Sequence, residues 1–371
     1  MASVETRPSR RNGREVRVYD VRFRDPDGRQ RKKTFGKKGD ADRFAATVEA
    51  DKLRGLYVDH SDRTTVAEYA RSWAAARPHR PSSARRVSSL IETHIAGTRL
   101  GDRRLAAVRP SEVQAWATDR AQVLAPSTLR NLVSLLRSIY SSAVLDRLVA
   151  ASPVVRVQLP RDERERVVPL SVQQVQALAD AMPERNRAMV LAQAGLGLRI
   201  GELLALRLED VDFLRRTVRV EWQIAPGTQA RGVPKTPRSR RTVPLPAVVA
   251  EALAAHIAAF PPGADGSIFT SSVGAVYWQD FYASRVFTAA AKRAGLPAGT
   301  TSHDLRHHYA SVLLAAGESV VAVADRLGHE NATLVLKTYG HLMPDSEDRT
   351  RRAVDEAWCA ITAPSEESAT R

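Results

Sequence analysis

Cysteine is almost absent. Cys359 stands alone in 371 residues, so no internal disulfide can close and no thiolate metal cluster can form. No apolar stretch approaches the roughly 20 residues that a membrane-spanning helix needs. No repeat of 20 to 50 residues is visible, and nothing is of low complexity beyond an alanine bias. The opening "MASVETRPSRRNGREV" is charged throughout and lacks the apolar heart of a signal peptide. These absences lead to the expectation of a soluble, cytoplasmic protein with no membrane partner. Acidic residues are in the minority, 41 against 56 Lys and Arg, which leaves a formal charge of +15 and a pI near 10.4. Such an excess points to an anionic partner, and nucleic acid is the usual one, because Lys and Arg neutralise its phosphates. At 43% hydrophobic residues the chain can bury proper cores, and its length allows two or three domains.

Residues 1–60 read as a small basic unit. In "VYDVRFRDPDGRQRKKTF", Tyr19, Val21 and Phe23 alternate with Asp20, Arg22 and Arg24, the pattern of a half-buried hairpin. Pro26 and Gly28 sit where a type I turn wants them. A helix from about Asp40 to Leu53 is predicted to cover the apolar face. The resulting two- or three-stranded sheet would carry Arg22, Arg24, Arg29, Arg31, Lys32 and Lys33 toward a DNA groove.

Residues 64–151 read as helical. "TVAE" from Thr65 and "SEVQ" from Ser111 both look like capping boxes. Leu129, Leu132, Val133, Leu136, Ile139, Tyr140 and Val144 recur at helical spacing, while Arg130 and Arg137 lie off that stripe. The expectation is a four- or five-helix domain with basic outer faces, Arg85 and Arg86 included. Residues 152–169, framed by Pro153, Pro160 and Pro169, read as a linker. A mixed domain follows over 170–362, its first helix boxed by Ser171 and Gln174, and residues 363–371 form a polar tail.

The chemistry concentrates in the mixed domain. "TSHDLRHHYASVLLAAG" packs His303, Arg306, His307, His308 and Tyr309 into the first turns of a helix that Thr301 or Ser302 can cap. At 100° per residue, Leu305, Tyr309, Val312 and Ala316 take one face, and His303, Arg306, His307 and Ala310 the other. His303 and Arg306 would thus leave the core together, at the helix end that favours an anion. His303 and His307 also stand at the i, i+4 spacing of a zinc helix, with His329 and His341 as further ligands. That reading lacks the glutamate of the zinc-protease signature and leaves Arg306 unexplained, so phosphate is the better ligand. Upstream, Gly195 and Gly197 permit a tight turn before Arg199, which can pair with Glu202 at i+3. Two β-rich runs, 217–224 and 241–245, flank a polar connection carrying Lys235. "DRLGHEN" ends a helix at Gly328 and exposes His329, and "LVLKTYGHLM" puts Tyr339 on the helix after it.

In order and type, Arg199 in "GLRIGEL", Lys235 in "KTPRSRRTVPL", His303 and Arg306 in "SHDLRHHYAS", His329 in "LGH" and Tyr339 in "TYGH" resemble the tyrosine-type site-specific recombinases, the phage integrase family. The resemblance implies a multidomain, mainly α protein with small β elements: an arm-type DNA-binding unit of sheet plus helix, a helical core-binding domain and an α+β catalytic domain. It implies strand cleavage by Tyr339, leaving a 3′-phosphotyrosine link and a free 5′-hydroxyl, with neither metal nor cofactor. Arg199 and Arg306 would clamp the phosphate and His329 would add a hydrogen bond. Lys235 would protonate the leaving oxygen, and His303 would accept the phenol proton or bind phosphate. The implied partners are double-stranded attachment sites, three further copies of the chain in a homotetramer, and accessory DNA-bending or directionality proteins, at the nucleoid of a bacterial host. Rival readings are a type IB topoisomerase, a non-catalytic DNA-binding regulator of the same fold, and a zinc hydrolase. The short stripe Val354, Trp358, Ile361 predicts a C-terminal amphipathic helix of the kind that relatives exchange between protomers.

Overall fold

Strand alternation governs the N-terminal segment. β1 (Ser3–Arg11), β2 (Arg14–Arg24) and β3 (Gln30–Phe35) form an antiparallel sheet in that order. The computed structural model describes residues 2–11, 14–25, 28–53, 57, 62–78, 81–161, 167–234, 236–342 and 347–362. Pro26, Asp27 and Lys235 lie outside the described residues, so neither the expected turn nor the expected general acid has a described position. Two units divide the chain, Met1–Arg164 and Glu165–Arg371.

Val21 is fully buried and Phe23 nearly so, under α1 (Lys38–Leu53). Phe23 meets Phe44 and Tyr57 edge to face at 6.0 and 5.8 Å between ring centres. The register pairs Val21 with Lys33 and Phe23 with Arg31 on that face, and Asp20 with Thr34 and Arg22 with Lys32 on the other. The six basic residues expected to face DNA together therefore divide. Arg22, Arg24 and Lys32 share the face away from α1. Lys33 instead lays its ammonium over the Phe44 ring at 4.4 Å, and Arg31 pairs with Asp25 at 3.0 Å.

Next come α2 (Val66–Ala75), α3 (Pro81–Ile91), which runs on into a wider turn at Glu92–Ala96, α4 (Pro110–Ala121) and α5 (Pro126–Leu145). Thr65 and Glu68 cap α2 reciprocally, worth about 1 kcal/mol. The box expected at Ser111 sits elsewhere: α4 starts at Pro110, and Glu112 accepts the Arg109 N–H at 2.9 Å. Proline at the first helical position fixes that start, because its ring presets φ and it has no N–H to satisfy. Leu129, Leu132, Leu136, Ile139 and Tyr140 of α5 are completely buried against Val66, Trp73 and Trp116. Arg85, Arg86, Arg130 and Arg137 are exposed. Val154 is buried in this helical core, and Val157 and Leu159 lean on it.

The second unit opens with α6 (Val172–Ala181), boxed by Ser171 and Gln174, then α7 (Glu184–Leu196) and α8 (Ile200–Ala205). β4 (Val211–Asp212), β5 (Thr217–Val220) and β8 (Arg241–Pro244) make one antiparallel sheet; β6 (Gln223–Ile224) and β7 (Arg231–Gly232) pair separately. Helices complete it: α9 (Ala247–Ala259), α10 (Gln279–Phe281), α11 (Thr288–Arg293), α12 (Ser302–Ala315), α13 (Val320–Leu327), α14 (Thr333–Tyr339) and α15 (Glu347–Thr362). One core spans α6 to α14, with Leu178, Leu203, Val218, Val243, Leu253, Leu305 and Val335 fully buried. Among the described residues no helix is long and apolar enough to cross a membrane.

The two-faced reading of α12 fails. Arg306 (1% exposed) and Ala310 (0%) are interior, while Val312 is 45% exposed. α12 packs against α7 on one side and α13 on another, so its core-facing arc is far wider than one stripe, and Arg306 is enclosed rather than projecting from the core.

Candidate active site

Two left-handed glycines shape the site. Gly197 ends α7 at φ +62°, and a β-carbon there would lie 2.3 Å from the Tyr309 ring, so no other residue fits. Gly328 ends α13 at φ +66°. Each frees backbone carbonyls that point inward, and arginines collect on them.

Arg306 donates to the carbonyls of Gly197 at 2.7 Å and Leu327 at 2.6 Å, and its Nη2 lies 2.9 Å from His329 Nε2. Arg199 reaches the Gly328 carbonyl at 3.3 Å and pairs with Glu202 at 2.8 Å. Arg241 donates to the Arg326 carbonyl at 2.6 Å and pairs with the other Glu202 oxygen at 3.0 Å. Arg238 donates to the Glu330 carbonyl. The C-terminal end of α13, where unpaired carbonyls and the helix dipole favour cations, thus orients four guanidiniums.

The electrostatics follow from crowding. Burial lowers the Arg306 pKa to about 9, with Arg199 and Arg241 pushing it further down and Glu202 opposing, so the group stays charged at neutral pH. Burial alone would raise the Glu202 carboxyl, but Arg241 and Arg199 carry it below its ordinary value. His329 falls to about 4, by burial first and then by Arg306 and Arg199; His303 also falls to about 4, by burial, then His307 and Arg306. Both imidazoles are neutral at pH 7. With His329 Nε2 accepting from Arg306, its Nδ1 carries the hydrogen, and that buried atom has no protein acceptor. A donor so placed beside two guanidiniums suits an oxyanion.

Tyr339, 2% exposed at the end of α14, turns its hydroxyl to α12. Among the described residues its hydroxyl is hydrogen-bonded to His307, Nδ1 to Oη 2.6 Å, and not to His303. Burial raises the phenol to about 12, against the field of Arg306.

Five of the six sequence-derived residues therefore converge: Arg199, His303, Arg306, His329 and Tyr339 come from α8's start, α12, the α13 exit and α14. Among the described residues no group of three or more His, Cys, Asp or Glu side chains could hold a metal ion. His341 turns elsewhere, to the Val167 carbonyl at 3.0 Å. Sequence reading missed Arg238 and Arg241, and gave His307 no role beyond the zinc spacing. The alternation of Arg241 with Val243 along β8, and with Leu245 just past its end, was the available signal for Arg241.

Residues 165–345 match the model of the phage integrase family. The chain is 28% identical over 343 residues to a protein of Mycobacterium tuberculosis described as a prophage phiRv2 integrase, covering 87% of this chain and 88% of that one. It is 26% identical over 374 residues to a XerC-like tyrosine recombinase of Caldanaerobacter subterraneus, covering 90% and 94%. In structure it is similar to the Tn1549 transposon integrase in complex with a circular intermediate DNA (TM-score 0.69, 23% identity, 79% of this chain and 99% of that one). A lambda integrase dimer bound to a core site gives a TM-score of 0.58 at 18% identity, covering 89% and 93%.

Proposed function

The chain belongs to the phage integrase family of tyrosine recombinases through residues 165–345, and from that premise we propose how its own residues recombine DNA. Its substrates are double-stranded attachment sites of a phage or other mobile element. Tyr339 attacks the scissile phosphorus, leaving a 3′-phosphotyrosine link and a free 5′-hydroxyl, and the partner strand's 5′-hydroxyl reverses the step. The observation that carries this reading is the seat of Tyr339. Its hydroxyl touches α12, the helix that carries Arg306, and Arg306 shares the carbonyls of the α13 exit with Arg199 and lies against His329.

Arg199 and Arg306 hold the non-bridging oxygens, where charge accumulates in a five-coordinate phosphorus. His329 Nδ1–H and His303 add hydrogen bonds, and Lys235 protonates the leaving 5′-oxygen. Bond energy is stored in the phosphotyrosine ester, so the cycle needs no nucleotide cofactor. Arg22, Arg24 and Lys32, with Arg85, Arg86, Arg130 and Arg137, follow the phosphate backbone outside the cleavage point. Exchange runs in a homotetramer that accessory DNA-bending or directionality proteins assist, on DNA in the cytoplasm of a bacterial host. The exposed Val354 and Trp358 of α15 dock on a neighbouring copy.

Tyr339→Phe tests the reading. On nicked suicide DNA it should form no covalent adduct while still binding the duplex, and an adduct from that variant would overturn the assignment. Exchange between linear duplexes separates recombination from topoisomerase-like relaxation. Truncation after about Thr350 should impair synapsis more than single-site binding.

A further inference from the structure

A phenol with a pKa of about 12 is ionised to roughly one part in 10⁵ at pH 7, so attack by Tyr339 needs a base in contact with it. Only one side chain is hydrogen-bonded to the Tyr339 hydroxyl among the described residues, and it is His307, with Nδ1 2.6 Å from Oη. The two rings stand edge to face with centres 5.5 Å apart. The His303 ring packs against the His307 ring at 4.7 Å and has no hydrogen bond to the phenol. Among the described residues the titratable and charged groups around His307 are His303, Asp304 and Arg306 from α12 and Tyr339 from α14. Burial lowers the His307 pKa, Asp304 opposes and Arg306 assists, so the ring is neutral at neutral pH. A neutral imidazole with its hydrogen on Nε2 offers Nδ1 as an acceptor to the phenol.

We infer that His307 is a further catalytic residue, the acceptor of the Tyr339 proton during cleavage and its donor during rejoining, with His303 left to the phosphate. The inference rests on Tyr339 being the nucleophile. In the forward step the Tyr339 O–H bond breaks and its proton moves to His307 Nδ1. The phenol oxygen forms the new bond to phosphorus as the bond from phosphorus to the 5′-oxygen breaks, and that oxygen is protonated by the general acid assigned to Lys235. Rejoining runs the same transfers backward: the 5′-hydroxyl attacks, the ester to Tyr339 breaks, and His307 returns the proton to the departing phenolate. Nothing is oxidised and no water is consumed.

The experiment compares two reactions of the full chain. In the first, His307→Ala and His307→Gln are assayed for covalent adduct on nicked suicide DNA. Both should slow adduct formation by about 10²–10⁴-fold, the range of a lost general base, with duplex affinity little changed. The glutamine variant keeps volume and polarity, so a loss in both variants does not stem from a cavity. Added imidazole should restore part of the rate of His307→Ala. In the second, ligation is followed in a Tyr339→Phe background on a strand carrying a 3′-(4-nitrophenyl) phosphate, whose leaving group departs without a proton. There His307→Ala should make little difference. Equal slowing of both reactions would overturn the inference in favour of a packing role. An unchanged or faster cleavage rate would overturn it too, the faster rate marking the contact as a latch on the resting tyrosine. Wild-type protein that forms no adduct, or Tyr339→Phe that forms one, would instead bring down the nucleophile assignment on which the inference stands.

Discussion

Each unit of the chain contains a carboxylate buried between two cations, and the two arrangements have opposite consequences. In the N-terminal sheet Asp20 is 1% exposed and takes Lys32 at 2.8 Å and Arg7 at 2.7 Å, and those cations remain 46% and 49% exposed. Hydrogen bonds from Lys32 and then Thr34 hold its carboxyl far below the ordinary range. In the second unit Glu202 takes Arg199 and Arg241, but those guanidiniums are also tied to the Gly328 and Arg326 carbonyls. Half-exposed cations on a single carboxylate can still swing toward solvent and follow a phosphate backbone. Cations fixed at both ends cannot swing, and they present a fork to one position in space. The first arrangement suits affinity and the second suits transition-state geometry.

Substitutions can break that contrast, and the largest effect belongs to Arg306. Arg306→Ala should reduce adduct formation by about 10²–10³ or more, on the scale of a lost oxyanion donor. Arg306→Lys should recover little of it, because one ammonium cannot span the Gly197 and Leu327 carbonyls and His329 together. Single-turnover cleavage measures both. Glu202→Gln comes next: it leaves both arginines in place but uncompensated, and should cost about 10–100-fold in rate, the scale known for side chains that orient the ligands of a metal. That loss should appear in kcat more than in KM. In the N-terminal sheet the expected effect is smaller and of another kind. Lys32→Ala or Arg22→Ala should each lower the salt slope of DNA binding by about one, with the cleavage rate at saturating DNA unchanged; a slope that stays the same would place these side chains off the backbone.

The smallest effect is on stability against pH. Unfolded, His303 and His329 take up protons near pH 6.5; folded, they do so only near pH 4. Between those values the unfolded chain binds more protons, so stability falls as pH falls through the window. Thermal melts from pH 7 to pH 4.5 should show a shallower decline for His329→Gln than for the unaltered chain.

Much of this was legible in the sequence wherever the signal was local. The alternation of Val21 and Phe23, the cap at Thr65, the stripe from Leu129 to Tyr140, and the glycines before Arg199 and His329 each act within a turn or a strand. The ordered set of Arg199, His303, Arg306, His329 and Tyr339 was legible as a resemblance. What was not legible depends on contacts between distant segments. The enclosure of Arg306 requires α7 and α13 to close over α12. The division of Lys32 from Lys33 requires the β2–β3 register and the seat of Phe44. That His307 and not His303 meets Tyr339 depends on where α14 ends, which no spacing within "HDLRHH" can reveal.

The exit of α13, with its row of carbonyls, also governs timing. Arg199, Arg238, Arg241 and Arg306 all leave the ribosome before the carbonyls of residues 326 to 330 that aim them. Until α13 has docked, those four guanidiniums lack the carbonyls that orient them. The cluster is therefore assembled late, by a helix that follows all four arginines in the chain.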